Sequence, residues 1–147
     1  MDDLDRNLLN LLQTAFPVSA EPYRQLGEQL ARTEAEILNR IKSLKEQGLI
    51  RRIGAVFNPD RLGFVSSLCA AKVPENHVDL FVETVNALPG VTHHYRRNHQ
   101  YNYWFTLICS SPEALQTTLV EIEQKTGVEV ISMPAIRTFK INASFQL

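Results

Sequence analysis

Three imidazoles of this chain, His93, His94 and His99, fall within seven residues, and the guanidiniums of Arg96 and Arg97 stand among them. Tyr95, Tyr101, Tyr103 and Trp104 fill the same stretch with ring surface. Such a set suits a flat, apolar, polyanionic ligand. Rings lie against its face, arginine takes carboxylates bidentately, and histidine supplies a proton or a metal ligand. The same composition also fits a partly exposed hairpin with solvated Arg and His tips. A second basic pair, Arg51-Arg52, reads three ways: as contacts to nucleic-acid phosphates, as anchors of ligand carboxylates, or as solvated ends of an edge strand.

Alternation along a strand sorts the first cluster, because successive side chains point to opposite faces. His93, Tyr95 and Arg97 then share one face, and His94 and Arg96 the other. A following strand separates Tyr101, Tyr103 and Phe105 from Asn102 and Trp104. The turn Asn98-His99-Gln100 joins the two strands, so His99 sits at a tip.

The elements around this hairpin predict an α+β chain. Residues 1–60 read as a winged helix-turn-helix and residues 61–147 as a ferredoxin-like βαββαβ domain. Leu4, Leu8, Leu9, Leu11 and Leu12 recur at helical spacing behind the N-cap candidates Asp2 and Asp3. Glu21-Pro22 opens a second helix. Thr33 caps a third, with Glu36 placed to complete a capping box and Gly48 to stop it. Leu49 to Phe57 has the β-branched and aromatic content of a short hairpin wing. Asn58-Pro59-Asp60-Arg61-Leu62-Gly63 is turn chemistry and marks the boundary. Beyond it the pattern predicts strands over 64–73, 91–97 and 101–109, helices over 76–88 and 112–126, and a last strand or two within 128–141.

Composition narrows the function. An apolar fraction of 44% with 21% charge is that of a globular chain and not of a disordered one. Fifteen basic against sixteen acidic side chains leave a net charge of -1, without the basic surplus of a nucleic-acid coat. The third helix begins Thr33-Glu34-Ala35-Glu36, putting carboxylates where a recognition helix meets phosphate. Weak or no DNA binding is therefore expected. Cys69 and Cys109 stand forty residues apart with no close His, so they read as reduced, packed thiols. No apolar run approaches the roughly 20 residues that span a bilayer, and the acidic start is unlike a signal peptide. A cytoplasmic protein without membrane contact is expected. GxSxG, HExxH, P-loop and GxGxxG patterns are absent.

Leu4-Asp5-Arg6 with the leucines after it, and Ile41-Lys42-Ser43-Leu44-Lys45-Glu46-Gln47-Gly48-Leu49-Ile50, resemble the AsnC/Lrp family of small regulators. Three further blocks are closer to the siroheme decarboxylases of that superfamily: Arg51 to Asn58, Gly90 to Tyr95, and Tyr101 to Thr106. The resemblance implies removal of CO2 from the C12 and C18 acetates of siroheme, giving 12,18-didecarboxysiroheme on a route to haem d1 or to haem. It implies siroheme as the substrate, no further cofactor, and pairing with a paralogous subunit or with a second copy. Carried onto this chain, it places His93, Tyr95 and His94 in catalysis, with His93 also a candidate axial ligand to the substrate iron. Arg51, Arg52, Arg96, Arg97, His99, Tyr101, Tyr103 and Trp104 are then the substrate-binding set. The competing expectations are a DNA-binding regulator of the AsnC/Lrp type and a haem or siroheme sensor without catalysis.

Overall fold

A computed structural model describes residues 1–142 and 144–147. The chain divides into two units, Met1–Val56 with Lys140–Leu147, and Phe57–Phe139.

In the first unit the leucine spacing produces helix α1 (Asp3–Thr14), followed by α2 (Pro22–Gln29) and α3 (Glu34–Glu46). Their apolar stripes meet in a core of Leu8, Leu9, Leu26, Ile37, Ile41, Leu44 and Ile50. The α2–α3 turn is close-packed at Gly27, where a side-chain carbon would overlap the carbonyl oxygen of Arg32. A reciprocal capping box does form, but on α1: the Asp5 amide donates to Asp2 Oδ1 at 2.8 Å and the Asp2 amide to Asp5 Oδ2 at 3.0 Å. At α3 only half of the expected box exists. Thr33 Oγ1 accepts from the Glu36 amide, while the Glu36 carboxylate is drawn to Arg32 at 3.1 Å and Arg40 at 3.7 Å. Arg40 in turn reaches Asp2 at 2.9 Å and Asp5 at 2.8 Å, tying α3 to the start of α1.

Two expectations fail here. The segment Leu49 to Phe57 contains no strand, so the expected hairpin wing does not form there. Ile50 anchors it in the core, but Val56 and Phe57 are exposed and no second strand meets the segment within the described residues. The end of the chain also joins this unit, although the sequence division had left it with the second. The side-chain amides of Asn10 and Gln13 act as a strand would: Leu147 and Phe145 donate to their oxygens at 3.1 Å each, and their nitrogens donate back to the two carbonyls.

The second unit runs β1 (Val65–Ala71), α4 (Val78–Asn86), β2 (Val91–Arg96), β3 (Tyr103–Cys109), α5 (Pro112–Thr126) and β4 (Val130–Pro134). The strands form one antiparallel sheet in the order β2-β3-β1-β4, the ferredoxin-like arrangement read from the sequence. The last strand, Val130–Pro134, lies within the expected 128–141 and ends at a proline, which cannot donate to a ladder. Helices α4 and α5 cover one face. Phe81, Val85, Leu119 and Ile122 pack there against Cys69, Tyr103, Phe105 and Leu107. No described helix is long and apolar enough to cross a membrane.

Candidate active site

Register fixes what each face of the sheet offers. Tyr95 pairs with Trp104 and His93 with Thr106, while His94 pairs with Phe105 and Arg96 with Tyr103. Directly opposed residues share a face. His93, Tyr95 and Trp104 therefore stand on the open side of the sheet, and His94, Tyr103 and Phe105 on the helix-covered side.

On the open side the rings of His93 and Tyr95 stack at 6.1 Å with 28° between planes. Just beyond the end of β2, the Arg97 guanidinium lies 5.7 Å over the Trp104 ring, a cation–π contact that keeps the cation beside the indole. The Trp104 indole N–H donates to the Tyr101 carbonyl at 2.7 Å, which holds the indole in place. At the hairpin tip His99 stacks on Tyr101 at 6.2 Å, and its Nδ1 accepts from the Tyr101 amide at 3.2 Å. Arg97, Asn98, His99 and Trp104 line a shallow concavity at this end. An imidazole, a phenol, a guanidinium and an indole thus share one accessible face; alternation predicts His93 with Tyr95, and the cross-strand register adds the indole.

The covered side corrects two expectations. Tyr103 is only 5% exposed and packs at 5.9 Å from the Phe81 ring, so it is core and not a ligand wall. His94 sits among Phe81, Tyr103 and Phe105, with ring centroids 5.7 to 6.1 Å away. Its Nδ1 is 2.8 Å from Asn86 Oδ1, an acceptor, so Nδ1 carries the proton and donates. Nε2 is buried without a partner among the described residues, and burial pushes the imidazole below its ordinary pKa. His94 is half-buried on this side, with Nε2 shielded and Nδ1 engaged by Asn86, so it packs as part of the structure. Arg96 pairs with Glu75 at 3.2 Å and lies 6.0 Å over the Tyr103 ring, on the same side as His94.

Arg51 and Arg52 belong to the first unit. They line a cavity of about 590 Å³ whose apolar walls include Leu9, Leu12, Phe16 and Ile50. Both are exposed, and neither forms an ion pair among the described residues, so both guanidiniums are available to an anion.

Sequence reading missed Asn86, Glu75 and Thr92, which fix the tautomer of His94, engage Arg96 and touch His93. None carries a pattern of its own; each acts through a neighbour that only the fold supplies.

Comparison with known proteins gives the chain a family. Residues 61–140 match the model of the AsnC-like ligand-binding domain, and residues 5–51 that of the siroheme decarboxylase NirDL-like HTH domain. The chain is 52% identical to the siroheme decarboxylase alpha subunit of Desulfovibrio desulfuricans, over 100% of this chain and 85% of that protein. It belongs to the siroheme decarboxylase family. The siroheme decarboxylase NirG subunit of Stutzerimonas stutzeri is 39% identical over 99% of both chains. The NirD subunit of Pseudomonas aeruginosa is 37% identical over 100% of this chain and 97% of its own. Among solved structures, the leucine response regulatory protein LrpA of Mycobacterium tuberculosis superposes with a TM-score of 0.83 at 20% identity, covering 100% of both chains. That likeness is one of fold. The family is thus a decarboxylase family built on a regulator-type fold, and its named members are subunits.

Proposed function

We propose that this chain is a siroheme decarboxylase subunit, a carboxy-lyase that removes CO2 from the C12 and C18 acetates of siroheme to give 12,18-didecarboxysiroheme. The observation that carries the reading is the open sheet face, where a stacked His93–Tyr95 pair stands beside Arg97 laid on Trp104. Ring surface meets the macrocycle, Arg97 meets a carboxylate, and the imidazole and phenol lie where a proton can be delivered. When an acetate loses CO2 the electron pair of the broken C–C bond remains on the CH2 carbon, and the adjacent macrocycle delocalises it. The substrate is its own electron sink, and no other cofactor enters the chemistry. A proton from His93 or Tyr95 then completes the methyl group. His93 also has the donor atom for an axial ligand to the substrate iron.

Arg51 and Arg52 supply further carboxylate anchors, and His99 and Tyr101 the rim of the hairpin. The working unit includes a paralogous subunit or a second copy, in keeping with the subunit names of the relatives, and acts in the cytoplasm. A regulator's role is disfavoured by α3 itself. Its first turn carries Glu34 and Glu36, Arg40 is held by Asp2 and Asp5 and Arg32 by Glu36, which leaves Lys42 and Lys45 further along as its cations outside an ion pair among the described residues. The test is anaerobic incubation with siroheme, alone and with the paralogue, followed by mass spectrometry. A product lighter by two CO2 supports the proposal; bound siroheme of unchanged mass with the paralogue present contradicts it in favour of a sensor.

A further inference from the structure

Strand β2 is irregular at one residue. Val91 pairs with Leu107 and His93 with Thr106, so Thr92 is an extra residue inserted in the ladder, a β-bulge. The bulge decides which imidazole is presented. Val91 points to the core side with Leu107, and regular alternation from Val91 would turn His93 inward and His94 outward. One extra residue reverses that. The strand enters the bulge pressed against its neighbour, because the Gly90 carbonyl accepts from the Ile108 amide at 2.9 Å and a side chain on Gly90 would overlap the Ile108 carbonyl oxygen.

The bulge has a second result. Adjacent residues of a regular strand face opposite sides and cannot bond through their side chains. Here Thr92 Oγ1 lies 3.1 Å from His93 Nδ1. We propose that Thr92 is a positioning residue for the decarboxylation: its hydroxyl oxygen accepts from His93 Nδ1–H and leaves Nε2 as the atom that exchanges a proton with the substrate. This deepens the decarboxylase reading and rests on it. The step balances. As the acetate C–C bond breaks, CO2 departs and the electron pair stays on carbon. That carbon takes the proton from Nε2 of the imidazolium, and water returns a proton to Nε2. Nδ1–H remains on Thr92 throughout, so the ring keeps one orientation while its other nitrogen turns over.

The test uses Thr92→Val, which keeps the shape and strand preference of an exposed residue, and Thr92→Ser, which keeps the hydroxyl. Nitrogen-15 NMR of labelled histidine in the full, substrate-free chain, at about pH 9 where imidazoles are neutral, reads the tautomer of His93. Steady-state decarboxylation of siroheme with the paralogue present reads kcat and KM. The wild type and Thr92→Ser should hold the proton on Nδ1, and Thr92→Val should move it toward Nε2. Thr92→Val should lower kcat about 10-fold, the low end for loss of a ligand-orienting partner, with KM within about twofold. A kcat or a tautomer unmoved in Thr92→Val overturns the inference while the decarboxylase reading stands. A wild type that leaves siroheme unchanged overturns both.

Discussion

The two faces of the sheet carry neighbouring residues of the same types to different fates. His94 and Tyr103 on the covered face pack against Phe81 and Phe105; burial holds the His94 imidazole below its ordinary pKa, and Asn86 sets its tautomer. His93 and Tyr95 on the open face stack on each other, and Tyr95 is 51% exposed. Residue type therefore says little about role in this hairpin. What separates a structural histidine from a catalytic candidate is which side of a four-stranded sheet it faces, and a single bulge decides that.

Substitutions on the two faces should accordingly fail in different assays. Phe105→Ala should cost about 3–5 kcal/mol of stability, the range for emptying an aromatic core site, and denaturant unfolding will measure it. His93→Ala should leave stability within about 0.5 kcal/mol, as exposed substitutions do, yet lower single-turnover decarboxylation about 100-fold or more, the scale of lost acid–base help. Arg52→Ala should weaken siroheme binding by about 1.5–3 kcal/mol in an absorbance titration, the scale of a charge-assisted hydrogen bond. His99→Ala should have a smaller effect than either, because a turn tip holds a functional group loosely.

The smallest effect should be the pH dependence of the covered face. Burial lowers the folded-state pKa of His94 below its ordinary value of 6.5. The unfolded chain then binds the proton more readily, so the contribution of His94 to stability is present above about pH 6.5 and is lost as pH falls through the folded pKa. Denaturation midpoints should decline across that window in the wild type and decline less in His94→Gln. An equal decline in both would mean that the imidazole is not enclosed as described.

Much of this fold was legible because its signals are local. Helix α5 begins and ends where Pro112 and Gly127 put it, and the βαββαβ order follows from patterns interrupted by Pro89-Gly90 and Gly127. What failed depended on partners distant in sequence. A wing requires a second strand, which Leu49 to Phe57 does not meet within the described residues. The attachment of the chain end to α1 rests on Asn10 and Gln13, more than 130 residues away in sequence. In the site, alternation correctly grouped His93, Tyr95 and Arg97, but could not say which group would be covered. Tyr103 reads like Trp104 in sequence and differs from it only by one step of the pleat.

The central claim, that the open face performs the chemistry and the covered face supports it, is tested most directly by comparing His93→Ala with His94→Ala. Both would be measured in single-turnover siroheme decarboxylation with the paralogue present, with each variant's folded fraction determined in the same buffer. His93→Ala should be fully folded and lose about 100-fold in rate, while the folded molecules of His94→Ala should keep the wild-type rate within a few-fold. Wild-type turnover in His93→Ala, with the loss confined to folded His94→Ala, would contradict it.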